Sequence, residues 1–200
     1  MQPARHSLFP LNTEALTITH LGKDSPRRCD VESFIRNVFA QHYGANVTYF
    51  AANLLLLEKG SRMVAAAGWL GADTDRLFLE SYLDAPIEQA IGQLTGRSIQ
   101  REQIVEVGNL AAIKPGGSLN IIGALASYLD KLGYEWVTFT ATRELIGIFS
   151  RIGLPLLALR QADPACIRDQ ASQWGNYYDQ NPVVVVGRIR LALDRMDKAI

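Results

Sequence analysis

In residues 103–120, QIVEVGNLAAIKPGGSLN, a carboxylate stands between valines just ahead of a basic, glycine-rich junction. Ile104-Val105-Glu106-Val107 reads as a strand and the residues from Leu119 onward as a helix. Lys114, Pro115, Gly116, Gly117 and Ser118 lie between the two. The first N–H groups of a helix have no intrahelical partner and sit at the positive end of its dipole, so an anion is stabilised there. Gly116 and Gly117 permit close backbone approach or positive φ, Ser118 can cap the helix, and Lys114 adds a mobile positive charge. A phosphate or pyrophosphate fits this junction; so does a plain tight turn. The stretch has neither the GxxxxGK(S/T) phosphate loop nor the GxGxxG dinucleotide fingerprint.

The elements that must position this junction are legible along the chain. Residues 15–20 alternate as a strand. Ser25-Pro26 opens a helix whose apolar stripe runs Val31, Phe34, Ile35, Val38, Phe39 and His42, stopped by Gly44. Residues 53–58 and 62–70 form a hairpin around Lys59-Gly60-Ser61. Residues 76–83 fit strand or helix, and a short helix with Ile87, Ala90, Ile91 and Leu94 ends at Gly96. After the junction come a helix with Leu119, Ile122, Leu125, Leu129 and Leu132 inward, a strand over 135–140 and a helix over 143–152. A strand over 155–159, a helix from Asp163-Pro164 to Gly175 and a buried strand over 182–189 follow, and the tail LALDRMDKAI is expected to fray. Hairpins mixed with crossovers predict an α/β (α+β) single domain over residues 1–200, a mixed sheet flanked by helices.

With 200 residues, the chain is long enough for one sizeable core. Lys+Arg and Asp+Glu both number 20, so no net basic field points to nucleic acid. Cys29 and Cys166 are not a disulfide framework, and with no CxxC or Cys/His cluster no metal is expected. Both cysteines fall near predicted helix starts and are read as buried structural thiols. A signal peptide and an eighteen-residue apolar run are both missing from the sequence, so a cytoplasmic protein without a membrane span is expected. His6, His20 and His42 are scattered and make no triad or ligand spacing, and His42 is read as a core or boundary residue.

The order of elements resembles the GNAT family of N-acetyltransferases, in which the loop after the central strand binds the pyrophosphate of coenzyme A. KPGGSLN keeps a basic residue, glycines and the helix start of that loop with a different spacing. The blocks LFLESYLDAPIEQAI, IVEVGNLAA, EWVTFTAT, ADP and WGNYYDQNPVV, across residues 77–186, are similar to the thermostable haemolysin family. That family is named for a lytic phenotype, and its pattern resembles GNAT-like acyltransferases, in particular the acyl-homoserine-lactone synthases. The resemblance implies a GNAT-like acyl-CoA N-acyltransferase fold with a mostly antiparallel sheet. It also implies a donor, coenzyme A or acyl-CoA or the phosphopantetheine of an acyl carrier protein, and a small-molecule amine acceptor. A homodimer is left open.

Such a reaction needs a base for the amine proton, an acid for the leaving thiolate, and donors that polarise the thioester carbonyl. Glu106 and Glu80 are the candidate bases; an ion-paired or solvent-facing carboxylate is the alternative for each. Asn109 either binds the acceptor or stabilises a bulge at Gly108. Tyr177 and Tyr178 are candidate acids, or form an aromatic cluster with Trp174. Leu110, Ala111, Ala112 and Ile113 are expected to offer backbone groups to the pantetheine arm, and Lys114, Gly116, Gly117, Ser118 and Leu119 to hold its phosphates. Thr140 and Thr142, at the end of the next strand, are substrate-contact candidates or ordinary strand-end residues. The leading expectation is an N-acyltransferase with a fatty acyl donor. The alternatives are a directly membrane-active haemolysin and an acyl-binding scaffold without turnover.

Overall fold

The computed structural model describes residues 15–199. His6 and the rest of the N-terminal segment lie outside the described residues. The described elements are β1 (Leu16–Leu21), α1 (Arg28–Tyr43), β2 (Asn53–Lys59), β3 (Arg62–Gly71), α2 (Ile87–Thr95), β4 (Ile104–Ala112), α3 (Pro115–Lys131), β5 (Trp136–Ala141), α4 (Arg143–Arg151), β6 (Leu157–Gln161), β7 (Val183–Arg188) and α5 (Ile189–Ala199). The strands form one 7-stranded sheet in the order β1-β2-β3-β4-β5-β7-β6. Every neighbouring pair is antiparallel except β4–β5, which is parallel.

Alternation along the strands divides the core between the two faces. On one face, Leu54, Leu56, Ala66 and Ala111 pack against Val31, Ile35, Val38 and Phe39 of α1. Ile104, Trp136, Val184 and Val186 continue that face against Leu79, Tyr82, Ile87 and Ile91. On the other, Leu55, Leu57, Ala65, Ala67 and Val105 meet Ile121, Leu125 and Leu129 of α3. Phe139, Ala141 and Val185 meet Phe149 of α4 and Ala192 of α5. Such burial is worth about 1.5–3 kcal/mol per large apolar side chain.

Several expectations are corrected by tertiary packing. Residues 76–83 contain a 3-10 turn, Phe78–Tyr82, whose amides are held by side-chain carboxylates. The 164–174 segment is 3-10 and kinked at Arg168 (φ 47°, ψ −122°), with Asp163 capping it through Ala165 N–H as its sequence position implies. β6 lies two residues later than expected. The tail does not fray: Ile189–Ala199 is α5, with Met196 seated over Gly123 of α3. Cys29 and Cys166 are exposed rather than buried. His42 is exposed too, because the last turn of α1 hangs over an open cavity.

Candidate functional site

β4 and β5 pair only over Ile104–Glu106 against Trp136–Thr138. β4 then runs on to Ala112 and β5 to Ala141 without further pairing, so the sheet splits open past Glu106. A β-bulge in β4 steepens the split: Gly68 of β3 faces Gly108, but Ala66 faces Ala111, leaving one extra residue on β4. Asn109 takes that position at φ 49°. Its Oδ1 accepts from Ala51 N–H at 2.9 Å and its Nδ2 donates to the Tyr49 carbonyl at 3.1 Å. Both ends of the amide are therefore used in fastening the loop before β2 to the bulge. Opposite, Gly68 has no room for a side chain, since a Cβ there would lie 2.8 Å from Ala51 Cβ and 2.9 Å from Asn109 Oδ1.

The split opens into a cavity of about 270 Å³ that is lined from both faces of the sheet. Its apolar lobe lies between the sheet and α3, α4 and α5, walled by Ile122, Leu125, Leu145, Ile148, Phe149 and Ala192. Its polar end, on the α1 face, holds Glu106, Thr140, Tyr177 and Tyr178.

At the polar end, Glu106 receives two amides of the 3-10 turn: Phe78 N–H donates at 2.7 Å and Leu79 N–H at 3.2 Å. Burial pushes its carboxyl up to about 7, against the pull of those two N–H groups. The side chain remains partly open to the cavity. Tyr177 donates to Thr140 Oγ at 3.1 Å, and burial pushes its phenol well above the usual tyrosine range, so it holds its proton. Tyr82 and Tyr178 share a hydrogen bond of 2.5 Å between their hydroxyls.

Of the other sequence-predicted residues, Leu110 and Ala112 line the cavity, with Ala111 turned into the α1 core. Ile113 is exposed, and its N–H donates to the Val64 carbonyl. Lys114 is the N-cap residue of α3 and is exposed; Ser118 lines the cavity and Leu119 is half-buried. Gly116 and Gly117 belong to the first turn of α3 itself, so the expected glycine turn is the start of the helix. Thr142 caps α4, accepting from Leu145 N–H, and lines the cavity with Thr140.

Glu80 is not brought to the cavity. Buried, it accepts from Leu77 and Ile87 N–H and from both terminal nitrogens of Arg101. Burial alone would raise its pKa, but Arg101 and the two amides hold it below the usual carboxylate range. The residues missed by sequence reading are Tyr43, Tyr49, Phe78 and Tyr82 at the polar end and Ile148, Phe149 and Ala192 at the apolar end. The aromatic residues of LFLESYL were the available signal for Phe78 and Tyr82.

The family model described as "Thermostable hemolysin" matches residues 21–193. The chain belongs to the thermostable hemolysin family. Its fold is that of GNAT-like acyltransferases. The acyl-homoserine-lactone synthase LasI superposes with TM-score 0.60 at 11% identity, over 88% of this chain and 91% of LasI. FeeM, an N-acyl amino acid synthase from uncultured soil microbes, gives TM-score 0.58 at 11% identity, over 87% of this chain and 89% of FeeM. BjaI, a coenzyme A-dependent acyl-homoserine-lactone synthase with bound SAM and isopentyl-CoA, gives 0.59 at 15% identity, over 92% and 89%. No curated protein sequence matches the chain. Among the described residues no helix is long and apolar enough to cross a membrane, and no group of three His, Cys, Asp or Glu side chains is placed to hold a metal ion.

Proposed function

We propose that this thermostable hemolysin family member is an N-acyltransferase that moves a fatty acyl group from a phosphopantetheine thioester to an amine. The observation that carries the reading is the β4–β5 split, which joins an apolar lobe to a polar end holding a carboxylate titrating at about 7. In this reading the donor's phosphates sit at the N-terminus of α3 beside Lys114, Gly116, Gly117, Ser118 and Leu119. Its pantetheine arm runs along the edge of β4 that β5 leaves unpaired, from Leu110 to Ala112 and on past Ile113, and its acyl chain enters the apolar lobe. The carrier is coenzyme A or an acyl carrier protein.

The amine nitrogen attacks the thioester carbonyl, the C–N bond forms, and the C–S bond breaks. Glu106 takes the amine proton; a base titrating near the working pH is well matched to that task. In this reading the Tyr177 O–H turns from Thr140 Oγ to the departing thiolate, with Thr140 and Thr142 beside the substrate. Asn109 and Glu80 act as positioning residues, the first on the bulge and the second on the turn that delivers amides to Glu106. A lytic phenotype then follows from an amphiphilic N-acyl product and needs no membrane insertion.

Thermal stabilisation by coenzyme A, acetyl-CoA and a medium-chain acyl-CoA, with the free fatty acid as control, tests the donor site. A ligand at a hundred times its Kd adds ~2.7 kcal/mol to the stability of the state that binds it. A shift with acyl-CoA that Gly117→Asp abolishes supports the α3 phosphate site. No shift with any of them removes coenzyme A as the donor, and acylated carrier protein becomes the thioester to test.

A further inference from the structure

The polar end of the cavity is walled by rings in continuous contact. Tyr49 stacks on Phe78 at 5.8 Å, Phe78 meets Tyr82 and Trp174 at 6.0 Å each, and Trp174 meets Tyr177 at 5.5 Å. Tyr177 in turn meets Tyr178 and Tyr43 at 5.3 Å each. The hydroxyls of Tyr82 and Tyr178 bond each other and that of Tyr177 bonds Thr140, so this part of the wall has its hydroxyls engaged within the protein. Among the described residues two carboxylates line the cavity, Glu106 against the wall and the exposed Glu144 near Tyr43. The amides nearest to Glu106, those of Phe78 and Leu79, already donate to it.

Two lysine or arginine side chains are among the described lining residues, and neither belongs to the aromatic wall. Lys114 is at the far end, at the start of α3, and Arg188 lies over Trp136 at 4.8 Å and pairs with Glu135. An amino-acid acceptor brings an α-carboxylate, which needs a cation or free N–H groups as its partner. Apart from the exposed imidazole of His42, 6.2 Å from the Tyr43 ring, this end of the cavity supplies carboxylates and π faces, which attract a cation and repel an anion.

We propose that the acceptor subsite selects an organic ammonium that carries no acidic group, a simple amine rather than an amino acid. The inference rests on the acyl-transfer reading for what happens next. The ammonium yields one proton to reach the free amine and a second as the amide forms; one goes to the thiolate and the other to solvent through Glu106.

The test is equilibrium binding at pH 8, with no donor present, of three probes of similar shape: choline, its neutral isostere 3,3-dimethylbutan-1-ol, and betaine, which adds a carboxylate. Choline is expected to bind about tenfold more tightly than either of the others. Tyr49→Leu, at an exposed ring of the wall, should weaken choline severalfold and leave the alcohol unchanged, whereas Tyr49→Phe should keep the preference. Betaine binding as well as choline, or the alcohol binding as well as choline, would overturn the proposal. Because these measurements need no turnover, they separate this inference from the proposed function. Failure of phenethylamine and phenylalanine alike to be acylated would sink the transferase reading and leave the ammonium preference standing. Acylation of phenylalanine in preference to phenethylamine would overturn the ammonium subsite and uphold the transferase.

Discussion

The Phe78 amide donates a 2.7 Å hydrogen bond to Glu106 Oε2 from 28 residues away, across the sheet-facing end of a 3-10 turn. With the Leu79 amide beside it, this bond orients the carboxylate toward the split in the sheet. It is also a ground-state clamp: two N–H groups lower the pKa that burial raises, and the balance lies near neutrality.

That balance sets a pH dependence. If Glu106 is the base, kcat/KM should rise with pH through a midpoint of about 7, as the carboxylate forms. Glu106→Gln should lower the rate by about 10²–10⁴-fold and remove this limb. Stability should move the opposite way. The folded state holds the proton up to about 7 and the unfolded chain releases it at the ordinary 4.5, so between those values the folded protein binds more protons. The wild type should therefore lose stability relative to Glu106→Gln as pH rises through that window. Parallel denaturation midpoints for the two proteins that show no such divergence would refute the assignment.

Glu80 predicts a different signature. It is buried and takes four hydrogen bonds, from Leu77, Ile87 and Arg101. Glu80→Ala leaves two buried amides without their acceptor and Arg101 with Glu88 as its one remaining carboxylate, at a cost of about 3 kcal/mol, read as a lower denaturation midpoint. Its folded pKa lies below the ordinary 4.5, so the stabilisation is present above that value and is lost as pH falls below it. Retention of full stability by Glu80→Ala would show that the turn is held by its apolar packing alone.

The contrast between these two carboxylates marks the limit of sequence reading. Both sit in apolar stretches and both looked like bases. What separates them is Arg101, 21 residues from Glu80 in sequence, and the turn amides shared between them, which only the folded chain brings together. The strand carrying Glu106 was legible because β-branched residues alternate with it, and the helix after it because its leucines recur on one face. The split beside Glu106 was only outlined: Gly108-Asn109 suggested a bulge, and the bulge falls at Asn109. α5 was missed because charged residues are interspersed with its anchors, and Leu191 and Ala192 gain their partners only from α3, α4 and the sheet.

The aromatic wall depends on one glycine. Gly175, between Trp174 and the Tyr177-Tyr178 pair, adopts φ 54°, ψ −127°, and a Cβ there would lie 2.0 Å from the Tyr43 carbonyl oxygen. The next residue fastens the same junction, with Asn176 N–H donating to that carbonyl at 2.9 Å. Gly175→Ala should cost about 2 kcal/mol or more, combining backbone strain with a clash against main chain. It should also displace Tyr177 and Tyr178, so choline binding should fall beyond what the loss of stability explains at temperatures where the variant stays folded. Unchanged binding and stability would mean that α1 can yield at its C-terminus.

The apolar lobe makes the last prediction, on acyl chain length. Its floor is the contact between Ala192 of α5, Phe149 of α4 and Leu154, and Ala192 is the smallest side chain there. Ala192→Phe should fill the inner part of the lobe without touching Glu106, Tyr177 or the start of α3. For medium-chain and long-chain acyl thioesters KM should rise about tenfold or more, because each displaced methylene forfeits about 0.8 kcal/mol of burial. Acetyl and butyryl thioesters should react as in the wild type, since their chains end near the split. A uniform loss across all chain lengths would instead indicate that the larger ring disturbs α5 packing. That outcome is recognised by a lowered denaturation midpoint, and Ala192→Leu then serves as the milder filler. An unaltered chain-length profile in both folded variants would place the acyl chain outside this lobe.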